Sequence, residues 1–269
     1  MSRHLTIMTR LAFLVTASLT LAAAAAVSRH GFAAPTTPDA QPRTPVVAEL
    51  FTSEGCSSCP PADRLLETLL RDQPVDGAFI VTLSEHVDYW DHQGWKDPFS
   101  SARFTERQES YGRHFGRDSI YTPQLVIDGT TEVVGSDDRA VRRAVAAAAK
   151  VPKASLRVAL TAREGRALDV TVEGDLPSGA EDVPDVWVAL TEDDLTSEVA
   201  RGENARRTLH HVSVVRSLVA ATTKQSGTRL TSAASLAMAP TIRRDKMRVV
   251  AIAQSRKTGR VLGIGWNPT

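Results

Sequence analysis

The chain has 269 residues, a formal net charge of +1, 42% hydrophobic and 23% charged residues. That balance is ordinary for a soluble globular protein, and it argues against nucleic-acid or anionic-membrane binding, since a net charge of +1 implies no strongly basic face. Aromatics are only 5%, and many fall between Phe79 and Tyr121, which marks where specific packing concentrates.

Residues 1–34 read as a secretory signal peptide. Arg3, His4 and Arg10 precede an apolar, alanine-rich run over 11–26, and small residues follow. Cleavage after Ala26 fits the small-x-small rule, with an uncleaved leader as the alternative. A periplasmic or secreted protein is expected. Residues 35–45, rich in proline, read as an extended linker.

From 46 to 51 an apolar run reads as a buried strand. It breaks at Thr52-Ser53-Glu54-Gly55, and the only cysteines follow as Cys56-Ser57-Ser58-Cys59. Pro60 and Pro61 suit the first turn of a helix, where an amide hydrogen would have no partner. Leu65, Leu66, Leu69 and Leu70 recur at helical steps, so a helix is expected over 60–71. Strand, loop, C-x-x-C and helix in that order is the setting in which the motif reads as redox-active. Cys56 is then expected at a helix N-terminus, where the dipole and free amides favour a thiolate. In an oxidising compartment two cysteines default to a structural disulfide. A bridge across a two-residue gap, however, removes little unfolded-state entropy, so a redox or metal role is preferred to a clip.

Residues 78–83 form a second expected strand, and so short a strand–helix–strand connection implies a parallel pair. The stretch 84–98 is dense in His86, Asp88, Tyr89, Trp90, His92 and Trp95 with no clean period, and reads as a functional loop. A helix is expected over 99–115. Tyr121-Thr122-Pro123-Gln124 then leads into a strand over 125–127, an Asp128-Gly129 hairpin turn and a return strand over 131–134. Asp137 caps an alanine-rich helix reaching about Lys150, and Pro152 ends a first domain, 46–150. From 151 to 269, short strands between Gly, Pro and polar turns imply an antiparallel sandwich. Strands are expected over 156–160, 167–172, 186–190, 207–219, 230–238, 247–253 and 261–264. Asp193-Asp194 and His210-His211 in that half read as surface decoration.

The order strand, C-x-x-C helix, strand, insertion, Thr-Pro, hairpin and helix resembles the thioredoxin superfamily over residues 46–150. Four blocks bring it closer to an exported bacterial thioredoxin-like family of unknown function: Cys-Ser-Ser-Cys-Pro-Pro-Ala-Asp (56–63), His-Val-Asp-Tyr-Trp (86–90), Gly-Trp-Lys-Asp-Pro-Phe (94–99) and Tyr-Thr-Pro-Gln (121–124). The resemblance implies an α/β thioredoxin-like domain with a helical, aromatic insertion, followed by a smaller antiparallel β-sandwich-like domain. It implies Cys56 as the exposed nucleophile and Cys59 as the buried resolving thiol. It also implies a cis Thr122–Pro123 bond that offers the Thr122 backbone to a substrate chain, and Glu49 as the buried acid that takes the Cys59 proton. Two departures stand out: that acid is Glu with a longer loop before Cys56, and Ser57-Ser58 lacks the Pro or His of well-studied oxidoreductases.

The function expected is an exported thiol-disulfide oxidoreductase acting on exported proteins with thiols or disulfides, together with a redox partner protein. No cofactor is expected beyond a redox-active Cys56–Cys59 disulfide. Tyr89, Trp90 and Trp95 would supply a substrate-binding wall, or else form the insertion's own core. The alternative is a copper- or zinc-binding module using Cys56, Cys59 and His86, with Asp88 or His92 nearby. A third reading is a structural disulfide with a partner-binding β-domain. No nucleic acid is expected as a partner, and no membrane beyond an uncleaved leader.

Overall fold

The computed structural model describes residues 43–178 and 183–267. The expected leader lies outside the described residues. The apolar opening run forms β1 (Thr44–Thr52), the leucine-striped segment forms α1 (Pro60–Asp72), and β2 (Ala78–His86) returns parallel to β1. Next come α2 (Ala102–His114), capped by the Ser101 side chain on the Arg103 amide, and the hairpin β3 (Gln124–Ile127) and β4 (Thr131–Val134). Its turn is Asp128-Gly129, with φ of 48° and 70°, the left-handed pair that a tight hairpin demands. Asp137 then caps α3 (Asp138–Ala148).

The remaining strands are β5 (Ala154–Ser155), β6 (Arg157–Arg163), β7 (Ala167–Asp175), β8 (Asp185–Glu192), β9 (Leu195–Glu198), β10 (Thr208–His211), β11 (Val214–Ala220), β12 (Thr222–Ser226), β13 (Arg229–Ala237), β14 (Met247–Gln254) and β15 (Val261–Trp266). The single strand expected over 207–219 is broken at Ser213, whose φ of 50° turns the chain between β10 and β11. Among the described residues no helix is long and apolar enough to cross a membrane.

The pairing overturns the expected thioredoxin-like α/β domain with a separate small sandwich. One nine-stranded mixed sheet runs β4-β3-β1-β2-β11-β8-β14-β15-β5, through both halves of the chain. Its two halves are joined where Val214 pairs with Ser84, with Ser84 N donating to Ser213 O at 2.9 Å and the Thr82 and Ser213 hydroxyls 2.8 Å apart. A four-stranded sheet, β12-β13-β7-β6, packs on this sheet, and the molecule is predominantly strand. The physical reason lies in β8 and β14. Their apolar runs (Val186, Val188, Ala189 and Leu190; Val249 to Ala253) are continuous because both faces are covered, as for central strands of a large sheet. A one-sided sandwich strand would alternate.

Three apolar clusters hold these layers. Val46, Ala48 and Leu50 of β1 pack under Ala62, Leu66 and Leu69 of α1 and Val141 and Val145 of α3. Val47 and Phe51, on the other face, meet Phe104 and Tyr111 of α2, together with Ala189, Val250 and Ile252. Leu190, Val249 and Ala251 face Val170, Val172 and Leu236 of the smaller sheet. The large sheet curls until its ends touch, with Val261 N donating to Asp128 O at 3.0 Å.

Candidate functional site

Cys56 and Cys59 are joined as a disulfide with Cα atoms 5.4 Å apart. The chain leaves β1 through a tight turn, Cys56 N donating to Ser53 O at 3.1 Å, and Cys59 is the N-cap of α1. This helix start differs from the expectation of free amides aimed at a thiolate. Cys59 N already donates to Cys56 O, Pro60 and Pro61 carry no N–H, and the amides of Ala62 and Asp63 donate to Cys59 O. The Cys56 sulfur is instead 3.3 Å from the Ser58 hydroxyl.

Neither cysteine has any exposed surface, although Ser57 and Ser58 between them are exposed. The expectation of an exposed Cys56 is not met, and the reason is a cover contributed from two places. Asn204, in the loop between β9 and β10, is fully buried and donates from Nδ2 to both Glu54 O and Cys56 O at 2.9 Å. Its neighbour Glu203 accepts from Ser57 N at 3.0 Å, a contact that holds the Glu203 carboxyl below its ordinary range. From the other side Trp90 lies against Gly55, where an added Cβ would come within 3.1 Å of the Trp90 Cβ. Trp90 Nε1 donates to Thr122 Oγ1 at 2.8 Å, and Trp95 Nε1 donates to Glu54 Oε2 at 2.7 Å. Trp90 and Trp95 are thus half-buried beside the loop that leads to Cys56, at Gly55 and Glu54. Tyr89 instead reaches α2, its hydroxyl donating to Gln108 at 3.2 Å.

The Thr122–Pro123 bond is cis. The register of β1 and β3, Phe51 opposite Gln124, sets Pro123 beside the start of the Cys56 loop. Pro123 is buried and shares one small space with Ala62 of α1, both lying within 3.3 Å of where a Gly135 Cβ would stand.

A buried ionisable cluster brings together Glu54 from the loop after β1, Asp63 of α1, His86 of β2, Asp97 from the loop before α2 and His211 of β10. His86 Nδ1 is 2.7 Å from Asp97 Oδ2, and that oxygen also accepts from Glu54 N at 2.8 Å. His211 Nε2 is 3.2 Å from Glu54 Oε1, and the two imidazole rings meet edge-on with centroids 4.8 Å apart. Thr52 Oγ1 donates to Asp63 Oδ1 at 2.9 Å. His86 Nε2 and His211 Nδ1 are buried without a hydrogen-bond partner.

Burial drives the Asp63 carboxyl above its ordinary range, the fields of His211 and His86 and the Thr52 hydroxyl offsetting part of the rise. Burial works against charge on His86 too, but Asp97, then Asp63 and Glu54, outweigh it and raise the imidazole. For Asp97, His86 and the amides of Glu54 and Phe99 overcome burial and hold the carboxyl down. His86 and Asp97 each favour the charged form of the other.

Among the described residues no three His, Cys, Asp or Glu side chains converge to hold a metal ion. The sulfurs are bonded to each other, His86 Nδ1 is held by Asp97, His92 is exposed, and Asp88 accepts from Thr105 Oγ1 at 2.6 Å.

Glu49 stands elsewhere. Strand alternation turns it to the α2 face, away from Cys59. There Arg107 Nε donates to it at 2.6 Å and the Tyr111 hydroxyl at 2.7 Å, while Glu85 lies 3.5 Å from Arg107 with neither oxygen hydrogen-bonded. Burial pushes Glu85 well above its ordinary range, Arg107 opposing and Glu49 adding to the rise.

Asp63, His211, Asp97 and Asn204 were not singled out from sequence as site residues. Asp63 had a readable signal, an acid inside the apolar stripe Ala62, Leu66, Leu69. His211 follows β10 alternation, buried where His210 is exposed, so the dipeptide is surface decoration only at its first residue. Asp193 accepts from Ser213 N at 2.7 Å, and Asp194 bridges Arg71 and Lys246 at the surface.

A family model described as a protein of unknown function (DUF1223) matches residues 47–254. A crystal structure of protein AGR_C_4864 from Agrobacterium tumefaciens is similar over 85% of this chain and 95% of its own, at 28% identity and a TM-score of 0.64. HBP35 of Porphyromonas gingivalis shares the fold at 13% identity, over 84% of this chain and 75% of its own, with a TM-score of 0.57. Among curated proteins none matches.

Proposed function

This chain belongs to the DUF1223 family, and on that footing we propose that Cys56 and Cys59 form a thiol-disulfide exchange centre acting on exported proteins, with a second redox protein restoring its working state. One observation carries it: the bridge across two residues lies in the chain between Glu54 and Asp63, two members of a cluster of five buried ionisable side chains. So short a loop adds little stability on closing, and a static clip needs no buried acids or imidazoles, which are costly to desolvate. Buried ionisable groups gathered together, with Asp63, His86 and Asp97 shifted in their affinity for protons, are instead what proton-coupled chemistry uses. The charged, apolar and small-residue segments of 1–34 support export.

In the reaction proposed, a substrate thiolate attacks Cys56 Sγ, the Cys56–Cys59 bond breaks, and Cys59 leaves with the electron pair. A second substrate thiolate then attacks the substrate sulfur of the mixed disulfide and releases reduced Cys56. The reverse sequence reduces a substrate disulfide. Cys56 is the exchanging sulfur because the removable cover, Asn204 and Glu203, lies on its side of the bridge. Exchange therefore requires the β9–β10 loop to lift.

The test is reduction of the folded protein by dithiothreitol, followed by reaction with a disulfide-bearing peptide. Cys59→Ala is expected to hold a covalent adduct through Cys56, and Cys56→Ala to hold none. A bridge that stays closed until the protein unfolds, in a chain that neither oxidises nor reduces the peptide, would establish the static clip instead.

A further inference from the structure

Within the exchange reading, the sealed enclosure raises a question of protons. When Cys59 attacks a mixed disulfide on Cys56 it must first lose its proton. In the closed structure Cys59 has no exposed surface, so a buried side chain beside it is the nearest acceptor. Glu49, on the opposite face of the sheet and engaged by Arg107 and Tyr111, is not placed to do so.

We infer that Asp63 is the proton acceptor for Cys59, and that the groove between α1 and the β9–β10 hairpin is its outlet to solvent. Asp63 follows Cys59 by four residues on α1, whose helical backbone already holds at the cap, and both are buried on the same side. Residues at that spacing have Cβ atoms about 5–6 Å apart and face each other. The Asp63 carboxyl accepts a hydrogen bond from Thr52 through Oδ1. Asp63 and His211 also line a groove of about 540 Å³ with Pro60, Arg64, Thr196 and His210. A proton accepted inside thus has a way out that does not pass the cover over the sulfurs.

Cys59–SH gives its proton to the Asp63 carboxylate. The Cys59 thiolate attacks Cys56 Sγ of the mixed disulfide, the Cys56–Cys59 bond forms, and the substrate sulfur leaves with the electron pair. Asp63 then releases the proton into the groove. The groups that set its readiness come from every side: His211 from β10, His86 from β2, Thr52 from β1 and Asp97 from the loop before α2. His211 and His86 favour the carboxylate, and Asp97 and burial oppose it. Burial brings the carboxyl nearer to a thiol in proton affinity, which eases the transfer.

The experiment uses reduced full-length protein and dithiobis(nitrobenzoate). Attack by Cys56 releases one nitrothiobenzoate, and resolution by Cys59 releases a second. D63N is expected to leave the first release unchanged and to slow the second about 100-fold at neutral pH, the gap closing as the pH rises into the thiol range. A second release equal to wild type across the pH range would overturn the inference while leaving the exchange reading intact. A wild-type protein with no second release would overturn both. Should D63N fail to fold, H211Q carries the test. Losing the His211 field makes Asp63 harder to ionise, so the onset of the second release moves to higher pH, and an unmoved onset refutes the proposal.

Discussion

Removing the Asn204 side chain should unseal the disulfide, by an amount the structure sets. Asn204 Nδ2 makes two hydrogen bonds at 2.9 Å, to Glu54 O and Cys56 O, from a loop some 150 residues along the chain. A neutral hydrogen bond contributes about 0.5–1.5 kcal/mol net, so Asn204→Ala should favour lifting of the loop by about 1–3 kcal/mol. That corresponds to about a 5–150-fold larger open population. The assay is the rate of bridge reduction by dithiothreitol, quenched with a maleimide. In wild type and variant alike the rate should scale with dithiothreitol, since opening is a pre-equilibrium, and the variant should be faster by that factor. It should also depend only weakly on low urea, because local opening exposes little surface. Equal rates within twofold would refute the cover. A steep urea dependence would mean that the sulfurs are reached only when the whole fold opens.

Further outcomes follow from the buried charges and the sheet closure. Arg107→Met leaves Glu49 and Glu85 buried without their cation, and should cost about 3–5 kcal/mol of stability by urea denaturation. Glu85→Gln should act oppositely. A carboxyl whose folded pKa is raised loses stability as the pH climbs above the ordinary carboxylate range, so E85Q should raise the melting temperature at pH 7 and not at pH 4. The His86–Asp97 pair works with the other sign. His86, raised by its partner, contributes fully below the ordinary imidazole range and is lost as the pH rises through its higher folded value. Asp97, held low, contributes above the ordinary carboxylate range and is lost as the pH falls through its depressed one. D97N should flatten the alkaline fall in a melting-temperature profile. Gly129→Ala would set a Cβ 2.0 Å from Gly259 O at a φ of 70°, and should part the β3–β4 turn from the β14–β15 loop, lowering the melting temperature by several degrees.

What the sequence made legible was local. The leucine stripe of α1, the Asp128-Gly129 turn and the Asp137 cap are each written within a few residues of the structure they dictate. What it left hidden was pairing at a distance. Nothing near Ser84 marks it as the neighbour of Val214, and that one bridge decides whether the two halves are separate or share a sheet. The same holds at the site. Asn204 sits in a short polar loop of ordinary composition, and only the fold carries it 148 residues back to the Cys56 carbonyl. His211 was readable from alternation once β10 was known to end there, but the strand expected over 207–219 erased that boundary.

The sheet itself explains why the acids divide as they do. Glu49 and Leu50 are neighbours in sequence, yet alternation sends one to α2 and the other to α1. The α2 face holds a closed network in which Arg107 satisfies Glu49 and Tyr111 and leaves Glu85 without a hydrogen bond, an arrangement that fixes structure and moves no proton near the bridge. The α1 face holds the opposite kind of arrangement. Two imidazole nitrogens are unpartnered, an acid is raised toward neutrality, and a groove leads outward from them. A low-dielectric enclosure strengthens each of these couplings. Reduction of the bridge frees an ionisable thiol at Cys59, four residues before Asp63 at the start of α1, so it should be felt by Asp63 and by His86, whose field acts on Asp63. If the chemical shifts of the His86 and His211 rings were identical in the oxidised and reduced proteins, the cluster would be a packing feature and the redox reading of the cysteines would lose its physical basis.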